Sequence, residues 1–383
     1  MGGIYIHIPY CISRCSYCDF YSVTKTESIP SFVMALLREM ELRSIEMKEV
    51  PCDTLYLGGG TPSLLRADSL RLILAAASQF FTLTRDAEIT LEVNPEDITP
   101  TTLDDLKTLG INRISIGIQS LSDRHLNLMK RRHNARKALD VLTMLKVYQL
   151  EGYFEVSADL IYGIPGLTRT EWSEAIEGVA ASGVNHISAY HLTWEKGTLL
   201  TKKLNEGSLQ EIDEDESWWQ YNHLADRLAE KGFEHYEISN FAREGKQSRH
   251  NAKYWSGEPY IGLGPSAHSF IGDTRSWNRK DLKSYLEVYL NPGIASKPAL
   301  FRQHEKINPQ MQYNELLMTR LRTMRGLQRA EVVKIKGKNG WIQLLKQCRP
   351  FIKSGDLIAE SERISLTRKG WFRSDGILAT LFE

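Results

Sequence analysis

The amino-acid sequence predicts an α/β protein, with a parallel sheet first and a smaller, mainly helical part after it. Over residues 1–240, short β-rich runs alternate with longer amphipathic stretches, as expected of repeated βα units. The chain has 383 residues. A single hydrophobic core stops growing at roughly 250–300 residues, so a second domain is expected. An open doubly wound sheet and a barrel both fit this pattern.

Six β-forming runs and the helical patterns between them define the predicted units. The predicted strands are Ile4–Ile8, Thr54–Leu57, Glu88–Val93, Arg113–Gly117, Val156–Tyr162 and His186–His191. The predicted helices are Ser31–Met47, Asp68–Phe81, Ala135–Tyr148 and Thr170–Ala181. Thr99 and Thr168 are expected helix caps, and Gly110 and Gly183 stand where a helix can end before the next strand.

The character of the sequence changes after residue 240. Glu244–Gly262 is polar, aromatic and glycine-bearing, and we expect an irregular segment there. Helical patterns dominate from Asp281, and the tail predicts a short hairpin over Asp356–Ser365 followed by a helix over Arg368–Leu381. The predicted division is therefore a sheet domain at 1–240, a connecting segment at 241–280 and a C-terminal domain at 281–383.

Composition narrows the functional classes. The chain carries 48 basic and 47 acidic residues, a net charge of +1, which argues against nucleic acid as the main partner. It lacks the run of ~18 apolar residues that a transmembrane helix needs, and peripheral membrane contact stays open. The N-terminus does not resemble a secretory signal, so a cytoplasmic location is expected.

Three of the five cysteines lie close together after the first predicted strand. Cys11, Cys15 and Cys18 have the spacing Cys-x3-Cys-x2-Cys. Three thiolates on one loop can hold three corners of a cuboidal iron–sulfur cluster and leave the fourth iron open to a small chelating molecule. The alternative is a zinc site with His7 as its fourth ligand.

Two stretches around these cysteines resemble the radical S-adenosylmethionine (SAM) proteins. They are residues 5–11 (YIHIPYC) and 15–18 (CSYC), and they are most similar to the group related to oxygen-independent coproporphyrinogen III oxidase. The resemblance implies a partial (β/α)6 barrel. It also implies a 4Fe–4S cluster on Cys11, Cys15 and Cys18, with SAM chelating the open iron.

The glycine run Gly58–Pro62 follows the second predicted strand. Glycines let the backbone approach a ligand closely, and the carboxyl end of a parallel strand is where ligands usually bind. A tight βα turn would be the simpler explanation. The resemblance implies that Gly59, Gly60 and Thr61 contact SAM.

Further candidates for SAM contact follow from the same resemblance. Carboxylates and an amide can bind an ammonium and a ribose diol, and an arginine can bind a carboxylate. Taken singly, Lys130–Arg132 could be a solvated basic patch and Glu92 could simply end a strand. The candidates are Tyr5, Tyr17, Glu92, Gln119, Arg131 and Asp159.

The segment Arg249–Trp255 (RHNAKYW) contains a histidine with two aromatic residues shortly after it. It resembles the HNxxYW motif of HemW-type heme chaperones. An imidazole can ligate heme iron and aromatic rings can pack on a porphyrin. The resemblance implies His250 as the heme ligand, with Tyr254 and Trp255 in support; His268 is the second candidate.

Two departures separate the chain from the oxidase. Phe20 occupies the position of a fourth cysteine in the oxidase, and only ten residues precede Cys11, where the oxidase carries a long extension. The resemblance therefore implies a heme chaperone that passes heme to an acceptor protein the sequence does not identify. We do not expect coproporphyrinogen oxidase activity, but a radical SAM enzyme of that kind remains the alternative, with a zinc-stabilised binding protein third. Gly262–Ala267 matches a loose dinucleotide motif but lacks its βαβ context.

Overall fold

The computed structural model describes residues 1–291 and 301–383, and its first half alternates strands with helices. The first strands are β1 Gly2–Ile8, β2 Cys52–Gly59, β3 Leu83–Val93, β4 Arg113–Gln119, β5 Glu155–Tyr162 and β6 His186–His191. The helices between them are α1 Ile29–Arg43, α2 Ala67–Phe80, α3 Pro100–Thr108, α4 Asp123–Leu128, α5 Ala135–Leu150 and α6 Arg169–Ala181. Neighbouring strands from β1 to β6 pair in parallel, which confirms the predicted βα units.

The predicted helix starts rest on identifiable caps. The Thr99 hydroxyl accepts a hydrogen bond from the Thr102 backbone N–H, and Thr168 forms a reciprocal capping box with Glu171. The predicted helix to Met47 is too long: α1 ends at Arg43 and continues as a 3-10 turn. No helix within the described residues has the length and apolar character needed to cross a bilayer.

The sheet continues beyond β6. The next strands are β7 Glu234–Glu237, β8 Asn240–Ala242, β9 Tyr260–Leu263, β10 His268–Ile271, β11 Thr274–Asn278 and β12 Arg302–Lys306. The helices among them are α7 Leu199–Asn205, α8 Glu214–Glu230, α9 Arg249–Ser256 and α10 Leu282–Leu290. In the described residues one sheet holds twelve strands in the order β12-β11-β10-β9-β1-β2-β3-β4-β5-β6-β8-β7. The division at 240 and 280 stays a prediction, and the sheet runs through both positions.

The last part of the described chain is mainly helical. It contains α11 Pro309–Leu321, α12 Arg329–Lys353, α13 Arg368–Phe372 and α14 Ser374–Leu381, with short strands β13 Leu327–Gln328, β14 Leu357–Ala359 and β15 Arg363–Leu366. The strands β14 and β15 form the predicted hairpin. The single helix predicted over Arg368–Leu381 is divided into α13 and α14 at Arg373.

The prediction of an irregular segment over 244–262 is wrong. Residues 249–256 form α9, whose first turn is capped by the Ser248 hydroxyl and which ends at Gly257 in the left-handed conformation (φ +72°). Strand β9 follows and pairs in parallel with β1. An eight-residue polar helix has too few apolar positions for its period to be visible in the sequence.

Apolar and polar residues alternate along strands β1–β6, so one face of the sheet packs in the core and the other faces a cavity. In β1, Ile4, Ile6 and Ile8 are fully buried in the hydrophobic core, whereas Tyr5 and His7 line a cavity. The cavity-lining positions recur at every second residue on β3–β6, and β2 contributes one polar position. They are Tyr56, Thr90, Glu92, Arg113, Ser115, Ser157, Asp159, His186, Ser188 and Tyr190. The sheet therefore curves around one cavity as a partial barrel with a polar interior.

Candidate cofactor site

The cavity has a volume of about 1060 Å³ and brings together every residue that the sequence analysis singled out for a ligand. Four parts of the chain contribute to its wall: the cysteine loop (residues 11–20), the glycine turn after β2 (residues 58–62), the ends of β3–β5 and helix α9. The predicted residues that line it are Tyr5, Cys11, Cys15, Tyr17, Cys18, Gly59, Gly60, Thr61, Glu92, Gln119, Arg131, Asp159, His250, Tyr254, Trp255 and His268. Their individual roles stay predictions.

The cysteine loop is fixed by bonds to distant parts of the chain. The Cys11 backbone N–H donates to the Val23 carbonyl (3.0 Å). The Ser16 backbone N–H donates to the Met129 carbonyl (3.0 Å), and its hydroxyl donates to the Leu128 carbonyl (2.7 Å). The three cysteines are free thiols. The loop backbone is therefore held in place by the fold around it.

The donor set of this loop fits an iron–sulfur cluster. The Thr61 hydroxyl lies 3.5 Å from the Cys11 sulfur, and Arg131 Nη1 lies 3.6 Å from the Cys15 sulfur. Burial raises the pKa of the Cys18 thiol to about 11, and a bound cation would oppose this shift by stabilising the thiolate. Hydrogen-bond donors directed at the cysteine sulfurs are typical of the protein surroundings of iron–sulfur clusters.

His7 is not a spare ligand for zinc. Its Nε2 donates to the Tyr21 carbonyl (2.8 Å), so its Nδ1 accepts from the Tyr5 hydroxyl (3.0 Å). In residues 1–291 and 301–383, no three His, Cys, Asp or Glu side chains are grouped so that they could hold one metal ion. The zinc alternative would therefore need both the thiols and His7 to rearrange.

The glycine turn packs directly against the end of β1 and against Tyr10, the residue before Cys11. Gly59 has φ +111°, and a Cβ there would lie 2.5 Å from the His7 ring. A Cβ at Gly60 would lie 2.7 Å from the Tyr10 carbonyl oxygen. A side chain at either position would need the β1 end to move, so glycine is required for this close approach.

Two partly buried carboxyl groups face the cavity. Glu92 accepts hydrogen bonds from the Tyr56 hydroxyl (2.8 Å) and the Gly59 N–H (3.0 Å), and burial raises its pKa. Burial, and then the charge of Glu92, raise the pKa of Asp159 to about 7, while a bond from Ser115 opposes that shift. Hydrogen-bond acceptors on this wall suit a ligand with ammonium or hydroxyl groups.

Backbone strain also concentrates at the cavity. In the described chain, the non-glycine residues with positive φ are Gln119 (+65°), Lys130 (+56°) and Ser266 (+71°), and all three line it. Such conformations cost of order 1–3 kcal/mol and cluster at functional sites. The sequence gives no indication of them, since none is a glycine.

The sequence places His250 in a segment just past the barrel. In the structure, His250 instead lies inside the barrel. It is 1% exposed; its Nδ1 is bonded to the Thr54 hydroxyl (2.8 Å) and its Nε2 to the Tyr254 hydroxyl (3.0 Å). Its ring stacks on Tyr56 with centroids 5.0 Å apart. Burial, and then the charge of Lys253, lower its pKa to about 3. Both ring nitrogens are already engaged.

His268 differs from His250 both in its exposure and in its hydrogen bonding. It is exposed, its ring stacks on Trp277 at 6.0 Å, and neither ring nitrogen has a hydrogen-bond partner within the described residues. Sequence reasoning missed several other cavity residues, among them Tyr56, Ser115 and Glu237. The feature of the sequence that could have identified such residues is the polar residue at every second position of β1–β6.

Comparison with known proteins identifies the family. Residues 5–179 match the family model described as the Radical SAM superfamily. The heme chaperone HemW of Mycobacterium tuberculosis (strain H37Rv) is 32% identical over 383 residues, which cover 99% of this chain and 94% of the relative. The chain belongs to the HemW family. HemW of Synechocystis sp. is 33% identical over 404 residues, covering 99% and 95% of the two chains.

The fold of this HemW-family chain also matches a solved structure. Coproporphyrinogen III oxidase (HemN) from Escherichia coli, a radical SAM enzyme, has a TM-score of 0.84 and 21% identity, covering 100% of this chain and 90% of that one. At that identity the likeness shows the fold, and it confirms the predicted fold class. Membership of the superfamily implies a 4Fe–4S cluster and SAM.

Proposed function

We propose that this chain is a heme chaperone that binds heme and a SAM-coordinated 4Fe–4S cluster and passes heme to an acceptor protein. The observation that carries the proposal is that the cysteine loop and helix α9, with its HNxxYW motif, line one cavity. The two relatives described above are named heme chaperones and match along nearly the whole chain.

The cysteine end of the cavity would hold the cluster and SAM. Cys11, Cys15 and Cys18 are the thiol ligands, and the glycine turn and Glu92 offer backbone and carboxylate groups to SAM. When bound, a 4Fe–4S cluster with an open iron supplies one-electron chemistry. The chain itself holds the backbone of the cysteine loop, directs the Thr61 hydroxyl at the Cys11 sulfur and encloses the site.

The α9 end would receive heme. Tyr254, Trp255 and Tyr260 line it and provide aromatic surface for a porphyrin. His250, the predicted heme ligand, could bind iron through Nε2 only if the Tyr254 hydroxyl leaves it, and Tyr254 is 37% exposed. His268 can bind iron without giving up a hydrogen bond.

Heme titration tests the proposal. The anaerobically reconstituted chain should bind heme and release it to apomyoglobin, a generic acceptor. Coproporphyrinogen III incubated with the chain, SAM and dithionite should remain unchanged. Absence of heme binding would refute the chaperone assignment, and formation of protoporphyrinogen would support the oxidase alternative.

Two substitutions identify the ligand. If His250 ligates the iron, His250→Gln loses heme retention and His268→Gln keeps it. The reverse result would assign the iron to His268. Glutamine approximates the size of the imidazole in each variant, so heme loss can be separated from misfolding by a matched thermal-unfolding measurement.

We also propose a cytoplasmic location. The reason is chemical: three free thiols intended for a cluster need a reducing compartment. Cell fractionation with antibody detection tests it, and recovery outside the cytoplasm would contradict it.

A further inference from the structure

Arg131 connects the cysteine loop to two strands of the sheet. Its Nη1 lies 3.6 Å from the Cys15 sulfur. Its Nη2 donates to the Asn94 side-chain oxygen (2.6 Å) and to the Gly117 carbonyl (2.7 Å). The guanidinium is thus clamped by the ends of β3 and β4, with one edge presented to sulfur.

The backbone around Arg131 supports this placement. Lys130 adopts φ +56°, and the Arg131 N–H donates to the Leu126 carbonyl (2.8 Å), so the chain turns sharply out of α4 toward the cavity. The same turn is bonded to the cysteine loop through Ser16. The strained turn and the loop therefore form one unit that fixes the distance between the cation and the thiol.

The neighbouring Arg132 provides an internal contrast. It carries the same charge and also lines the cavity, but its guanidinium is paired with Glu96 and Asp97, each at 3.0 Å. Its charge is therefore largely balanced where it lies. The Nη groups of Arg131 contact a sulfur and neutral oxygens, so its charge acts on the site.

We propose that Arg131 is a positioning residue that raises the reduction potential of the cluster through its hydrogen bond to the Cys15 sulfur. The proposal rests on the cluster assignment made above. Reduction adds negative charge to a cluster, so a cation bonded to one of its sulfur ligands stabilises the reduced state. The Nε of Arg131 is buried and has no partner within the described residues, which leaves it for an acceptor on a bound ligand.

Potentiometric titration of the reconstituted full-length chain, followed by electron paramagnetic resonance, tests the proposal. Arg131→Met should shift the midpoint to lower potential, whereas Arg132→Met, its matched control, should leave it close to that of the unaltered protein. Equal shifts in the two variants, or no shift in Arg131→Met, would overturn the proposal.

A second variant keeps the test decisive if Arg131→Met fails to assemble a cluster. Asn94→Ala leaves the arginine charge in place and removes one of the two hydrogen bonds that hold Nη2. It also removes the Asn94 bond to the Thr61 hydroxyl, and a smaller shift to lower potential is expected. An unchanged midpoint in Asn94→Ala would then overturn the proposal. Iron and sulfide are counted first in the unaltered protein. Their absence there would refute the cluster assignment, a result distinct from failure of the Arg131 proposal.

Discussion

The cysteine loop (residues 11–20) and helix α9 both offer metal ligands to the same cavity, but they differ in the hydrogen bonds that those ligands already make. The loop presents three free thiols, and the sulfurs of Cys11 and Cys15 receive hydrogen bonds from Thr61 and Arg131. Helix α9 presents an imidazole whose two nitrogens are bonded to Thr54 and Tyr254. A metal at the loop gains the stabilisation already directed at its ligands, whereas a metal at His250 must replace a hydrogen bond.

This difference suggests different roles for the two ends. Preorganised ligands favour a permanently held group, because no hydrogen bond between protein groups has to be broken on binding. A ligand that must exchange one bond for another binds less tightly, which suits a cargo that is later released. The predictions that follow test this contrast, beginning with the largest effect.

Removal of one thiol should abolish the loop site. We expect Cys15→Ser to lose nearly all iron and acid-labile sulfide after anaerobic reconstitution, since a cluster with only two thiolates is poorly held. Iron and sulfide assays measure it. Cys348→Ala, which removes a buried thiol far along the chain, is the control and should retain both. Iron retained in Cys15→Ser, or zinc bound without sulfide by the unaltered protein, would contradict the cluster assignment.

Acid should destabilise the α9 end through His250. Its pKa is about 3 when folded and near 6.5 when unfolded, so between these values the unfolded chain binds a proton that the folded chain does not. This contribution to stability is therefore lost as pH falls through that window, by up to about 1.4 kcal/mol per pH unit. Urea unfolding from pH 7 to pH 4 should show a flatter dependence in His250→Gln than in the unaltered protein.

The control for this measurement is His304→Gln, which replaces an exposed imidazole. It should keep the pH dependence of the unaltered chain. If His250→Gln and His304→Gln gave the same slope as the unaltered chain, His250 would not be held neutral by its surroundings.

The bond from Thr54 to His250 can be removed on its own. Thr54→Val leaves the buried Nδ1 without a partner, at a cost of about 1–3 kcal/mol in the free energy of unfolding. Thr90→Val is the matched control on the adjacent strand, because the Thr90 hydroxyl has no partner in the described part of the chain. Equal losses of stability in the two variants would show that the Thr54 bond contributes nothing specific.

The smallest effect concerns Tyr254. If His250 ligates heme, Tyr254→Phe frees Nε2 and should tighten heme binding by about 2–10-fold, the equivalent of one hydrogen bond of ~0.5–1.5 kcal/mol. Tyr260→Phe removes a nearby hydroxyl that is not bonded to His250 and should leave affinity unchanged. Weaker binding in Tyr254→Phe alone would indicate that the hydroxyl itself supports heme.

Local sequence predicted the first six strands of the sheet and the hairpin of the tail, but not strands β7–β12. The six strands, the four helices and the hairpin of the tail were all predictable, because their periods and caps are local properties. Helix α9 was not, since eight polar residues show too little periodicity, and its position is set by bonds from its N-terminal backbone to Glu88 on β3. The choice between an open sheet and a barrel also lay outside local information.

The sequence by itself determined which groups enter the cavity: the cysteine trio, the glycine turn and the alternating polar positions of the strands. Only the tertiary structure decided how deeply each group is buried and which hydrogen bonds it makes. His250 is closed off by Thr54 and Tyr254, and Arg131 is clamped onto Cys15 by Asn94 and Gly117. The physical reason is that spacing along the chain specifies residue types. Burial, hydrogen-bond partners and charge balance arise from contacts between residues far apart in sequence.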